Sequence, residues 1–230
     1  MIPLVIIPIT WFYVCFWSAL GVSSALLAQL QLFAQYSASA YCYENVQDLT
    51  GTISCSGEGG TCPLIQSAQT SILEGFAEWV SIVWFASFTI STESSWHKAS
   101  LGDFGTTGYV ATDHTNGLIV VSIQGTSLSS NPIDFLADID VISVQTNLCG
   151  SANTHDGCSV HDGFYAAALA AFPVVSTNVA SALAANPSYQ IVCTGHSLGG
   201  AIAALLATML RNQGHCVNLV SINMLPWYLN

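Results

Sequence analysis

The stretch that most constrains this 230-residue sequence is Tyr189-Gln190-Ile191-Val192-Cys193-Thr194-Gly195-His196-Ser197-Leu198-Gly199-Gly200-Ala201. Tyr189 to Thr194 is rich in apolar and β-branched residues and reads as a buried strand. Leu198 to Asn212 is rich in Ala and Leu and reads as a helix. Only the pattern Gly-x-Ser-x-Gly, from Gly195 through His196, Ser197 and Leu198 to Gly199, separates the two. A chain that passes from strand to helix so abruptly nearly collides with itself two residues either side of the serine, and Gly is the residue that fits there. The helix N-terminus then points at Ser197, where its dipole and free N–H groups favour developing negative charge. That is the setting of a nucleophilic serine on a strained strand-to-helix turn. The plainer reading is a Gly-rich turn with Ser197 as the helix cap.

Charge narrows the classes further. Two Lys and Arg stand against 13 Asp and Glu, for a net charge of −11, while 52% of residues are hydrophobic and 7% charged. Two cations cannot neutralise a phosphate backbone, so nucleic-acid binding is excluded in practice. A disordered chain would be short of apolar residues, so disorder is excluded as well. No charged residue precedes Glu44, and Met1 to Leu20 is apolar enough to cross a bilayer. With small residues at Ala19 and Gly21, residues 1–21 read as a secretory signal, although no Lys or Arg precedes the apolar core. An uncleaved N-terminal membrane anchor is the alternative. Eight Cys fit an oxidising compartment. Cys55 and Cys62 bound one short polar loop, Cys149 and Cys158 another, and their spacings do not suit paired zinc ligands. Cys193, inside an apolar strand, reads as a buried thiol. No cofactor and no metal site is expected; the His155-Asp156 and His161-Asp162 pairs read as loop residues.

Along the chain, Ala25 to Cys42 has helical spacing, and Leu64 to Glu78 also reads as helix. Gly108–Ala111 and Leu118–Ile123 read as short strands around a turn at Asp113–Gly117, with Ile139–Val144 a third. Phe164–Phe172 and Val174–Ala185 read as two helices broken at Pro173. Strands alternating with helices imply an α/β layer around a mostly parallel sheet.

Gly195-His196-Ser197-Leu198-Gly199-Gly200-Ala201 resembles the active-site motif of the fungal class 3 lipases. Leu32 to Cys42 is similar to that family's first helix, and His161-Asp162-Gly163-Phe164 to its His-x-Gly-Phe signature. Cys55–Cys62 and Cys149–Cys158 match its two small disulfide loops. The resemblance covers residues 22–219. It implies an α/β-hydrolase fold and a secreted serine carboxylester hydrolase of the triacylglycerol lipase type, acting on neutral lipid esters at an oil–water interface, with no protein partner indicated. It also implies roles: Ser197 as nucleophile, Leu198 and Thr126 as oxyanion donors, and Leu128, Ile133 and Phe135 as the apolar face of a lid over residues 127–135. Gln124 stands where the family has Arg.

The resemblance has gaps. Asp or Glu and then His should follow the nucleophile, yet no acid follows Ser197 and the one His is His215. The family's partner for Cys42 is a C-terminal Cys with no counterpart here. A fold incomplete at the C-terminus, and a chain inactive for want of acid and base, are therefore expected. Residues 80–99 read as an insertion and residues 220–230 as a tail outside the family pattern. Both begin Val-Ser, as a translated GT(A/G)AGT intron start would. The alternatives are a feruloyl esterase-like hydrolase and a non-catalytic or lipid-binding relative.

Overall fold

The computed structural model describes residues 22–47, 51–55, 61–80, 104–125, 143–149, 158–222 and 228–229. Helix α1 spans Ser24–Ser39, capped by Ser23, whose Oγ accepts the Leu26 N–H at 3.2 Å. Short helices α2 (Tyr43–Gln47) and α3 (Pro63–Gln66) follow, then strands β1 (Thr70–Val80), β2 (Phe104–Asp113), β3 (Leu118–Ile123), β4 (Ser143–Thr146) and β5 (Cys158–His161). Helix α4 (Asp162–Ala185), β6 (Gln190–His196), α5 (Leu198–Asn212), β7 (Val217–Ile222) and β8 (Tyr228–Leu229) complete the order.

Five strands form one sheet in the order β1-β2-β3-β6-β7, and β4-β5-β8 form a small second sheet. The half of the large sheet that carries the Ser197 turn is parallel: β6 pairs with β3 and β7 in parallel register. The other half is antiparallel, with β1 on β2 and β2 on β3.

Period-two alternation assigns the side chains to two cores. Ile119, Val121 and Ile123 of β3 and Ile191 and Cys193 of β6 face one layer, where α4 and α5 bring Phe164, Ala168, Val175, Ile202 and Leu206. Leu118 and Val120 of β3 and Val192 of β6 face the other, with Tyr36 of α1, Ala40 at its C-cap, Ile65 of α3 and Ile72 of β1. All six residues of β3 are buried, which explains its uninterrupted apolar run.

Under α1 the second core is polar. The Tyr36 hydroxyl donates to Asp113 Oδ2 at 2.5 Å, and the Tyr36 carbonyl accepts from Ser39 Oγ at 2.8 Å and Ser122 Oγ at 2.7 Å. Ser39 Oγ lies 2.6 Å from the Tyr109 hydroxyl, and Ser37 Oγ 2.6 Å from Thr194 Oγ1. Asp113 also accepts from the Asn116 N–H and amide, so each buried polar group named here has a partner. These bonds lock α1 across β2, β3 and β6.

Two sequence expectations are corrected. Leu64 to Glu78 is not one helix: α3 ends at Gln66 and β1 begins at Thr70. The residues are helix-compatible, but pairing from Thr70 opposite Asp113 to Val80 opposite Phe104 satisfies their backbone as strand. Pro173 does not break its helix: α4 runs unbroken from Asp162 to Ala185. The bond lost at proline is offset by a buried stripe at Phe164, Ala167, Ala168, Ala171, Val175, Val179 and Ala182. Val220, Ser221 and Ile222, the first residues of the expected tail, form the end of β7 opposite Thr194, Gly195 and His196.

Candidate active site

Ser197 has φ 54° and ψ −120°. Among the described residues it is the one non-glycine with positive φ. A side chain held there costs about 1–3 kcal/mol, and such strain collects at functional sites. A helix-capping serine would instead be extended and accept an N–H through Oγ. Ser197 makes no such side-chain bond. Ser197 thus stands at the N-cap position of α5 without capping it through Oγ, and it is held by its backbone. Its N–H donates to the Ile222 carbonyl at 2.9 Å, and its carbonyl accepts from Gly200 and Ala201 at 3.1 and 3.3 Å.

The glycines explain how the turn closes. A Cβ at Gly195 would strike the Gly199 carbonyl group and approach the Gly200 nitrogen at 2.8 Å. A Cβ at Gly199 would strike the Ile123 carbonyl oxygen and approach the Gln124 carbonyl at 2.7 Å. Strand, turn and helix are thus in backbone contact, and the first turn of α5 lies against the exit of β3. Leu198, buried as the first residue of α5, brings an N–H with no acceptor within the helix to the same end.

His196 alternates with Val192 and Thr194 onto the face covered by α1, where the Tyr41 hydroxyl lies 3.1 Å from its Nδ1. His215 stands beyond the far end of α5. Fifteen helical residues separate it from the turn, a span of about 22 Å, so it does not serve Ser197. His114 pairs with the Tyr189 hydroxyl at 2.8 Å, at the start of β6 and again far from the turn. His161 caps α4, accepting the Phe164 N–H at 3.4 Å and stacking on the Phe164 ring at 4.1 Å. The His-x-Gly-Phe signature is in this respect a capping device.

Cys55 pairs with Cys62 and Cys149 with Cys158. Burial pushes the Cys193 thiol up to about 12, with the Arg211 charge pulling weakly the other way. Thr126, Leu128, Ile133 and Phe135 lie outside the described residues, as do residues 1–21 and 81–100. Sequence reasoning did not single out Tyr41 at this site; the signal was its position at the end of the first helix, which meets His196 only through the fold.

The protein-family pattern described as "Lipase (class 3)" matches residues 120–223. The chain is 28% identical over 195 residues to secreted mono- and diacylglycerol lipase A of Penicillium cyclopium, covering 84% of this chain and 53% of that one. It is 30% identical over 203 residues to secreted mono- and diacylglycerol lipase 1 of Fusarium solani, covering 85% and 48%. Both the pattern and the relatives make this chain similar to the class 3 lipases.

The chain spans about half the length of the curated relatives it matches. Solved structures agree on the fold. A mutant form of MDLA from Penicillium cyclopium superposes with TM-score 0.62 at 28% identity, over 86% of this chain and 62% of that one. A fungal lipase from a family described for an unusual buried polar cluster superposes with TM-score 0.64 at 27% identity, over 88% and 63%. The chain has the α/β-hydrolase fold of these neighbours, and its own buried polar cluster lies beneath α1.

Proposed function

We propose that this chain carries the nucleophile half of a secreted serine carboxylester hydrolase that acts on acylglycerols. The observation that supports it most is Ser197, held at positive φ on a turn that only glycines at 195 and 199 allow. In this reading Ser197 Oγ attacks the acyl carbonyl carbon, and the oxygen that gains charge is held by the N–H groups of Leu198 and Thr126. Thr126 follows Gly125, where a Cβ would strike the His196 carbonyl, so the β3 exit lies beside the turn. Leu128, Ile133 and Phe135 form the apolar face of a lid. The acid and base belong, in this fold, to positions after the nucleophile. His215, the one His after Ser197 in these 230 residues, lies too far along the chain from the turn to be that base.

The net charge of −11 favours neutral lipid esters over anionic bilayers. The Secreted names of the relatives and the apolar run at residues 1–21 support export. Incubating the 230-residue protein with an alkyl fluorophosphonate tests the nucleophile. Modification of Ser197, abolished in Ser197→Ala, is expected; modification elsewhere, or none, defeats the assignment.

A further inference from the structure

Tyr41 lies just past the C-terminal end of α1, and none of the chemistry above uses it. Its hydroxyl is 3.1 Å from Nδ1 of His196, the residue before Ser197. The two rings are tilted by 58° with centroids 6.2 Å apart. The same hydroxyl fills the space a Cβ would need at Gly125, and the His196 carbonyl bounds that space from the other side. The ends of α1, β3 and β6 therefore meet at one point. Two of those ends lead directly into Thr126 and Ser197.

The paired register of β3 and β6 ends at Ile123 opposite Gly195. Beyond it the ladder stops, one chain entering the Ser197 turn and the other Gln124–Gly125, with Gly125 still against the His196 carbonyl. Two backbone donors act on one oxyanion only when each comes within about 2.7–3.1 Å of it. The separation of these two exits therefore needs a support that the sheet no longer gives. On the α5 side, contact between Gly199 and Ile123–Gln124 supplies it. On the α1 side, Tyr41 does.

We propose that Tyr41 is a positioning residue whose hydroxyl, set between the His196 imidazole and Gly125, fixes the spacing of the Ser197 turn and the β3 exit. A phenyl ring would fill the same volume. The hydroxyl adds a polar partner for Nδ1, which holds one orientation of the ring. The catalytic consequence rests on the reading of Ser197 as nucleophile, whereas the clamp itself does not.

The test uses the full chain with Tyr41→Phe, Gly125→Ala and both together. Nuclear magnetic resonance follows the His196 ring nitrogens and the Gly125 and Leu198 amides. Fluorophosphonate kinetics separate probe binding from the inactivation step, and thermal melts report folding. Tyr41→Phe is expected to move the His196 ring nitrogens and both amides. It should also slow inactivation about tenfold at unchanged probe affinity, with a melting temperature within a few degrees of the parent. Gly125→Ala should slow inactivation more, and its effect should shrink in part in the Tyr41→Phe background, where the hydroxyl it would strike is gone and only the clash with the His196 carbonyl stays. Unmoved His196, Gly125 and Leu198 resonances in Tyr41→Phe overturn the clamp, as do additive effects of the two substitutions. If the parent Ser197 does not react at all, the nucleophile reading fails, and the resonances alone decide the clamp.

Discussion

A methyl group added at Gly199 would press into the Ile123 and Gln124 carbonyls, both of them backbone with nowhere to move. Gly199→Ala is therefore expected to destabilise the protein by about 2 kcal/mol, in the range of overpacked cores, read as a fall in the urea midpoint. Tyr36→Phe removes the hydroxyl bonded to Asp113 but leaves that carboxylate buried with Asn116. A lost bond to a charged group is worth about 1.5–3 kcal/mol, and calorimetry of the variant should show a loss of that order. Gly195, Ser197 and Gly199 were legible because steric necessity writes itself into adjacent residues. Tyr41 and His196 stand 155 positions apart, and no local pattern announces such a pair.

At the scale of elements, long apolar and β-branched runs read correctly. The strand Leu118–Ile123 and the helix Leu198–Asn212 match their expected bounds. The failures were β1 and Pro173, where tertiary partners overruled local preference. Strand β2 supplies β1 with its hydrogen bonds, and the core face of α4 outweighs a single proline. Phe164, fully buried in that face, is expected to cost about 3–5 kcal/mol as Phe164→Ala, which denaturant titration would measure. The Cys55–Cys62 bridge closes a short loop, with the two residues 7 apart in sequence. Chain-entropy arguments give such a bridge about 2.5 kcal/mol. A Cys55→Ser/Cys62→Ser double variant should lose roughly that amount in the same titration, and a loss near zero would contradict it.

The whole molecule should be sensitive to alkali. Burial raises the Cys193 thiol to about 12. Burial, with the bond and charge of Asp113, holds the Tyr36 phenol well above its usual range, and burial does the same for Tyr109. All three are raised in the folded state, so each favours folding fully below its unfolded value, about 8.5 for Cys and about 10 for Tyr. That contribution is lost as pH climbs through the folded values. Urea midpoints should hold near pH 7–8 and decline from about pH 9 upward. Cys193→Ala should remove the earliest part of the decline, and a flat profile to pH 11 would refute the account.

The sequence by itself carried the resemblance to the class 3 lipases, the turn at Ser197, the two disulfide loops and the acidic charge. Each rests on adjacent residues or on composition, and neither needs a third dimension. The tertiary structure decided that the sheet is parallel around Ser197 and antiparallel beyond β3. It decided that α4 runs through its proline and that α1 seals a polar cluster around Tyr36 and Asp113. It also decided that Tyr41 reaches the Ser197 turn. These depend on which distant segments meet, and burial and hydrogen-bond satisfaction settle that only when the whole sheet is assembled.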